Sequence, residues 1–181
     1  MRIIAGSLKG RRLDAPSWQG LRPTSDKLRE TIFNVLAPRI ADARVLDGFA
    51  GTGALGLEAL SRGARSVTFI ERDPRAQELI AANLERCGVR EGYAIIREEF
   101  TRGVRALCAR HESFDVMLLD PPYDRSPDAD LAAVNDLVAP GGVVVLEHAK
   151  ARQTPALAGS LVRVRQIASG DSGLAMYEVR R

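Results

Sequence analysis

The sequence predicts an α/β fold: a mostly parallel, seven-stranded sheet with helices on both faces, finished by a C-terminal antiparallel hairpin. Three observations lead there. From Arg44 onward, apolar runs of strand length alternate with segments of helical period, which implies crossover helices and a parallel sheet. The last two apolar runs, Leu161–Ile167 and Leu174–Val179, are separated only by a turn at Gly170–Gly173, which predicts a hairpin. The 181 residues, 45% hydrophobic and 27% charged, suffice for one core without disulfide staples.

The elements follow in order. Residues 1–23 are basic and rich in Gly and Pro, with short strands or ordered loops expected at Arg2–Ala5 and Arg11–Asp14. A helix should start after Ser25, a good N-cap, bury Leu28, Ile32, Val35 and Leu36, and end at Pro38. Arg44–Asp47 reads as the first strand, followed by a Gly-rich turn and a helix over Ala54–Arg62. Ser66–Glu71 is the second strand. Asp73-Pro74 then supplies a cap and a first-turn proline for a helix that Gly88 stops. Tyr93–Arg97 is the third strand, before a helix near Thr101–Arg110. Phe114–Leu119 is the fourth strand, ending at Asp120. A helix at Asp128–Val138, a Gly141-Gly142 turn and a fifth strand at Val143–Glu147 precede the hairpin. Residues 1–39 are expected to form a basic extension packed on a main domain of residues 40–181.

Charge is unevenly spread. Eight basic and three acidic residues give residues 1–39 a net charge of +5, whereas the remainder, with 18 basic and 20 acidic, carries −2. Such asymmetry suits a polyanionic partner, although charge alone leaves open a merely solvated basic surface. Cys87 and Cys108 are too few for a disulfide framework and have no partner at metal-ligand spacing, so both read as reduced core residues and no metal is expected. No apolar run is long enough to cross a membrane and no signal peptide is evident, so a cytoplasmic chain, expected to be a monomer, is the reading.

In parallel sheets of this kind, ligands bind beyond the carboxyl ends of the strands. The first strand ends in Asp47-Gly48-Phe49-Ala50-Gly51-Thr52-Gly53, where Gly51 and Gly53 let the backbone turn tightly against a ligand. Gly51, Gly53 and Gly56 also satisfy a dinucleotide fingerprint, so on this motif alone a nicotinamide enzyme stays open. Asp47 argues against a pyrophosphate there and for a ligand bearing an ammonium group, such as S-adenosylmethionine. Glu71, 24 residues after Asp47, can accept hydrogen bonds from two ribose hydroxyls, and Arg72 follows it in the candidate cofactor site. Neither histidine, His111 or His148, offers a hydride-transfer acid or base, and both read as structural.

Asp120-Pro121-Pro122-Tyr123 follows the fourth strand. Two prolines make the turn rigid and present carbonyl oxygens. A carboxylate and a carbonyl can accept both hydrogens of an exocyclic base amine, which restores the nitrogen lone pair for attack. Tyr123 adds a flat face for an extruded base, worth about 1–3 kcal/mol. This tetrapeptide resembles motif IV of amino-methyltransferases acting on adenine, cytosine, guanine or glutamine amides. Phe49-Ala50-Gly51-Thr52-Gly53 likewise resembles motif I of class I methyltransferases.

Together with Arg2–Gly6, Gly10–Leu13, Leu21–Glu30 and the tail from Gly170 to Tyr177, these motifs make nearly the whole chain resemble the RsmD family of bacterial 16S rRNA guanine-N2 methyltransferases. The resemblance implies a class I methyltransferase Rossmann-like fold, S-adenosylmethionine as cofactor, and 16S rRNA in the small ribosomal subunit or its assembly intermediate as partner. It assigns catalysis to Asp120, Pro121, Pro122 and Tyr123. It assigns the cofactor to Asp47, Phe49, Ala50, Gly51, Gly53, Glu71, Arg72, Glu99, Phe100 and Asp120, with Glu99 at the adenine amino group, Glu98 as the competing choice there, and Phe100 on the ring. Lys9, Arg11, Arg12, Arg22 and Lys27 become candidate phosphate contacts, while Arg22-Pro23-Thr24 is alternatively a flap over the cofactor. The family usually carries Leu where this chain has Gly48, which predicts a slightly looser first strand. A methyltransferase acting on adenine or cytosine in RNA or DNA remains the alternative.

Overall fold

The computed structural model describes residues 1–18, 24–122 and 124–180. Five α-helices and eight strands are described: α1 Asp26–Ile40, β1 Arg44–Asp47, α2 Ala54–Ser61, β2 Ser66–Ile70, α3 Pro74–Arg86, β3 Tyr93–Ile96, α4 Phe100–Ala109, β4 Phe114–Leu119, α5 Pro127–Val134, β5 Val138–Ala149, β6 Leu157–Ala158, β7 Leu161–Ser169 and β8 Ser172–Val179. They form one sheet in the order β3-β2-β1-β4-β5-β8-β7-β6. The first five strands run parallel and the last three are antiparallel. The strand order reverses between β1 and β4, which opens a crevice at their carboxyl ends.

The sheet has a core on each face. Val45, Val67, Phe69, Val116, Leu118 and Val145 pack under α1, α2 and α3. Leu46, Ile70, Met117, Leu119, Val144 and Leu146 pack under α4 and α5. Alternate residues of the same strand thus feed opposite cores, which is why the central strands are apolar throughout.

The caps act as expected. The Ser25 hydroxyl accepts the Leu28 N–H at 3.2 Å, and the Asp73 carboxylate accepts the Arg75 N–H at 2.9 Å. Three boundaries differ from expectation. Helix α1 continues through Pro38 to Ile40, because proline deletes only one amide hydrogen bond there and the buried Ile40 anchors the last turn. The helix after Ser126 ends at Val134 and tightens into a 3-10 turn over Asn135–Leu137. Strand β5 begins at Val138, and Gly141-Gly142 forms a bulge inside it: pairing steps from Phe114 with Val138 to Val116 with Val143, and Gly141 has φ 76°. An eighth strand, the two-residue β6, is added at the edge; it is too short to show a period.

The N-terminal segment is fastened to the helices. Arg2 and Arg12 form an antiparallel bridge, with Ile3 and Leu13 beside them buried. The buried Glu58 carboxylate on α2 accepts the Ile4 and Ala5 N–H groups at 2.8 and 3.0 Å. Asn83 on α3 accepts the Asp14 N–H at 2.7 Å and donates to the Thr52 carbonyl at 3.1 Å, linking this segment to the glycine turn.

Candidate active site

At the carboxyl ends of β1, β2 and β4 lies a cavity of about 450 Å³, walled by Gly48, Phe49, Gly51, Glu71, Arg72, Glu99, Phe100, Asp120, Pro121, Pro122 and Arg125 among others. Of the residues expected at the site, Phe49, Gly51, Glu71, Arg72, Glu99, Phe100, Asp120, Pro121 and Pro122 share this wall. Asp47, Ala50 and Gly53 lie outside it and shape it from behind. The buried Asp47 carboxylate accepts the Gly56 N–H at 2.9 Å, tying the strand end to the first turn of α2. Gly53 caps α2 at φ 76°, a left-handed conformation that side chains disfavour. Tyr123 and Arg22 lie outside the described residues.

Glu71 braces the glycine turn. Its carboxylate accepts the Gly51 and Asp73 N–H groups, each at 2.8 Å. Each oxygen keeps a second acceptor direction, enough for the hydroxyls of a ribose. The rings of Phe49 and Phe100 stack with centroids 4.2 Å apart, and the Arg125 guanidinium covers them at 5.2 and 5.5 Å. Gly48 makes this stack possible. A Cβ there would come within 2.5 Å of Leu119 and 2.8 Å of Phe100, so the space a side chain would fill is occupied and the strand is not loosened.

Glu99 caps α4, accepting the Thr101 N–H at 2.8 Å, and pairs with Arg125 at 3.1 Å. Burial raises its carboxyl, but the Thr101 and Arg102 amides and the Arg125 guanidinium outweigh burial and hold it below the usual carboxylate range. Glu98 pairs instead with Arg102 on the outside of α4, at 3.3 Å. Asp47 moves the other way. Burial, opposed by the Gly56 amide and reinforced by the charges of Asp120 and Glu71, pushes it up to about 7. The charges of Asp120 and Glu71, which add to that rise, favour a cationic ligand in the cavity.

A family model described as conserved hypothetical protein 95 matches residues 1–178. Ribosomal RNA small subunit methyltransferase D of Escherichia coli K12 is 35% identical over 98% of this chain and 89% of its own. The chain belongs to the RsmD family. A hypothetical protein of Thermus thermophilus, 31% identical and covering 99% of both chains, has the same structure with a TM-score of 0.86. A SAM-dependent methyltransferase of Agrobacterium tumefaciens, 18% identical, shares the fold over 83% of this chain and 60% of its own, with a TM-score of 0.65.

In this RsmD-family chain, Thr24, expected only as part of a flap over the cofactor, enters the site, and Arg125, Glu147, Ser172 and Trp18 join it without having been expected there. Thr24, just before α1, donates its hydroxyl to Asp120 Oδ2 at 2.9 Å. Arg125 forks onto the buried Asp130 at 2.6 Å while covering the aromatic pair. Glu147 and Ser172 join the cavity wall, and the Ser172 hydroxyl donates to Glu147 Oε1 at 2.9 Å. Only Thr24 had a signal in the sequence, as part of the Arg22-Pro23-Thr24 segment read as a flap over the cofactor; the others meet the site through distant elements. Trp18 also lines the cavity, with the Arg75 guanidinium 4.9 Å over its ring. His111 closes the turn after α4 at φ 54°, and His148 Nδ1 lies 2.9 Å from the Ala149 carbonyl, so both serve structure. Cys87 is buried and Cys108 half-buried, and burial raises both thiols.

The described basic candidates, Lys9, Arg11, Arg12 and Lys27, are exposed. Lys9 and Lys27, with Arg2, line a surface depression of about 410 Å³. Arg12 stands opposite Arg2 across the bridge, and Arg11 donates to the Cys87 carbonyl at 2.7 Å. Two arginines facing each other on an exposed bridge repel, an arrangement that a bound polyanion relieves.

Proposed function

We propose that the chain is a 16S rRNA (guanine-N2)-methyltransferase that uses S-adenosylmethionine on the small ribosomal subunit. The observation that carries the reading is the meeting, in one cavity, of Asp120-Pro121-Pro122 with the Phe49–Phe100 pair and the Glu71 carboxylate. The donor set fits the cofactor: Glu71 for the ribose, the aromatic pair and Glu99 for the adenine, and the negative charge of Asp120, with Asp47 behind it able to give up its proton, for the cationic methionine end. When bound, S-adenosylmethionine supplies an electrophilic methyl group on a sulfonium.

The chain's own residues do the rest. The Asp120 carboxylate and the Pro121 carbonyl accept the two amine hydrogens and free the nitrogen lone pair. Thr24 holds Asp120 Oδ2 and so fixes the orientation of the carboxylate. Asp120 would take the surplus proton of the amine once it is methylated. Tyr123 supplies the stacking face. Positioning furnishes most of the acceleration, because the donor is already reactive. Arg2, Lys9, Arg12 and Lys27 hold rRNA phosphates, with Arg11 beside them.

Labelled S-adenosylmethionine offered with small subunits from a strain lacking the enzyme should yield N2-methylguanosine. N6-methyladenosine as the product would refute the guanine assignment. Asp120→Ala should abolish transfer while cofactor affinity stays within about threefold; loss of affinity alone would reassign Asp120 to the cofactor.

A further inference from the structure

Glu147 is a carboxylate that the chemistry above leaves unused. It is only 7% exposed, yet it belongs to the wall of the cavity that holds Asp120 and Pro121. Its place follows from the sheet. Leu119 of β4 pairs with Leu146 of β5, so Asp120 and Glu147 are the next residues on adjacent parallel strands. Strand spacing separates them by about 5 Å along the sheet. On its other side β8 brings Ser172 opposite Ala149, and the Ser172 hydroxyl holds Glu147 Oε1.

A carboxylate beside the amine acceptor distinguishes the bases. In adenine and in cytosine, the ring nitrogen next to the exocyclic amine is an acceptor, which a carboxylate repels. Guanine alone places a ring N–H there, so that its N1–H and its amine present donors along one edge. Flipped bases are read along this edge. We infer that Glu147, oriented by Ser172, accepts guanine N1–H while Asp120 and Pro121 take the amine, and that this pairing selects guanine. The inference rests on the guanine reading above and supplies its physical cause. Glu147 is a recognition residue: it touches the base and takes no part in methyl transfer.

The test compares guanine with 2-aminopurine, which keeps the 2-amine but has an acceptor at N1. Each base is placed at the mapped target position of small-subunit RNA, reconstituted into subunits. Wild type should prefer guanine by about a hundredfold in kcat/KM, as sites built to bond a substrate N–H reject analogues lacking it. Glu147→Gln, whose amide can turn a donor toward N1, should cut that preference to about tenfold or less. Its cofactor affinity should stay within about twofold, which also reports folding. Ser172→Ala carries the test if the Gln variant does not fold, with the preference falling by about threefold. A wild-type preference below about threefold, or an unchanged preference in the folded variant, overturns the inference. If wild type makes no N2-methylguanosine at all, the function itself is refuted, which is a separate outcome.

Discussion

Replacing Asp47 by Asn removes a buried carboxylic acid that titrates far from its ordinary range. In the folded chain burial lifts its pKa from 3.8 to about 7, against the Gly56 amide and with help from Asp120 and Glu71. Between those two values the folded chain holds a proton that the unfolded chain has released. Stability from this group is therefore complete below pH 4 and is lost as pH rises toward 7. The slope approaches about 1.4 kcal/mol per pH unit, and the three-unit shift gives roughly 4 kcal/mol in full. Asn mimics the protonated acid and can still accept the Gly56 N–H. Urea unfolding of wild type and Asp47→Asn at pH 4, 5, 6, 7 and 8 gives the difference in stability directly. The variant should be close to wild type at pH 4, gain on it steadily to pH 7, and level off above. A difference that stays flat within about 1 kcal/mol from pH 4 to pH 8 would show that Asp47 is ionised in the folded state throughout.

Further outcomes follow from the same geometry. Thr24→Val removes the hydroxyl on Asp120 and should lower kcat by about tenfold with little change in cofactor affinity, whereas Thr24→Ser should keep activity; equal kcat in both variants refutes the contact. Arg125→Ala leaves the Asp130 carboxylate, 1% exposed, without its fork, and should cost about 3–5 kcal/mol in urea unfolding; a loss below about 1 kcal/mol would mean that Asp130 finds another partner. Arg2→Glu with Arg12→Glu should weaken rRNA binding and reduce the slope of log affinity against log salt by roughly one to two, and an unchanged slope assigns both to a solvated face. Binding of the cationic cofactor near pH 6 should release up to one proton from Asp47 in wild type and none in Asp47→Asn, read by calorimetry in buffers of different ionisation enthalpy.

The parts of the fold legible in the sequence are those set by local chemistry. Strands Arg44–Asp47 and Phe114–Leu119 have the bounds that apolar runs and flanking turn residues predict, and Ser25 and Asp73 cap the helices that follow them. The misjudged boundaries have non-local causes. Pro38 stays inside α1 because Ile40 is buried, and Gly141-Gly142 is taken into β5 because β4 is there to pair with Val138. Gly48 shows the same limit. A missing side chain reads as a looser strand until Leu119 and Phe100 are seen to fill its place.

By itself the sequence determined seven of the eight described strands, the glycine turn, the acid after β2 and the Asp-Pro-Pro turn. Each is a matter of residue spacing within a single element, where period, capping and proline geometry decide. Only the tertiary structure decided what meets at the cavity. Thr24 reaches Asp120 across 96 residues, Arg125 lies on Phe49 and Phe100, and Glu147 comes beside Asp120 because β5 pairs with β4. The same packing removed Asp47 from water and made it a proton-holding support for the site. Strand order and burial are properties of the assembled sheet, and no window of sequence contains them.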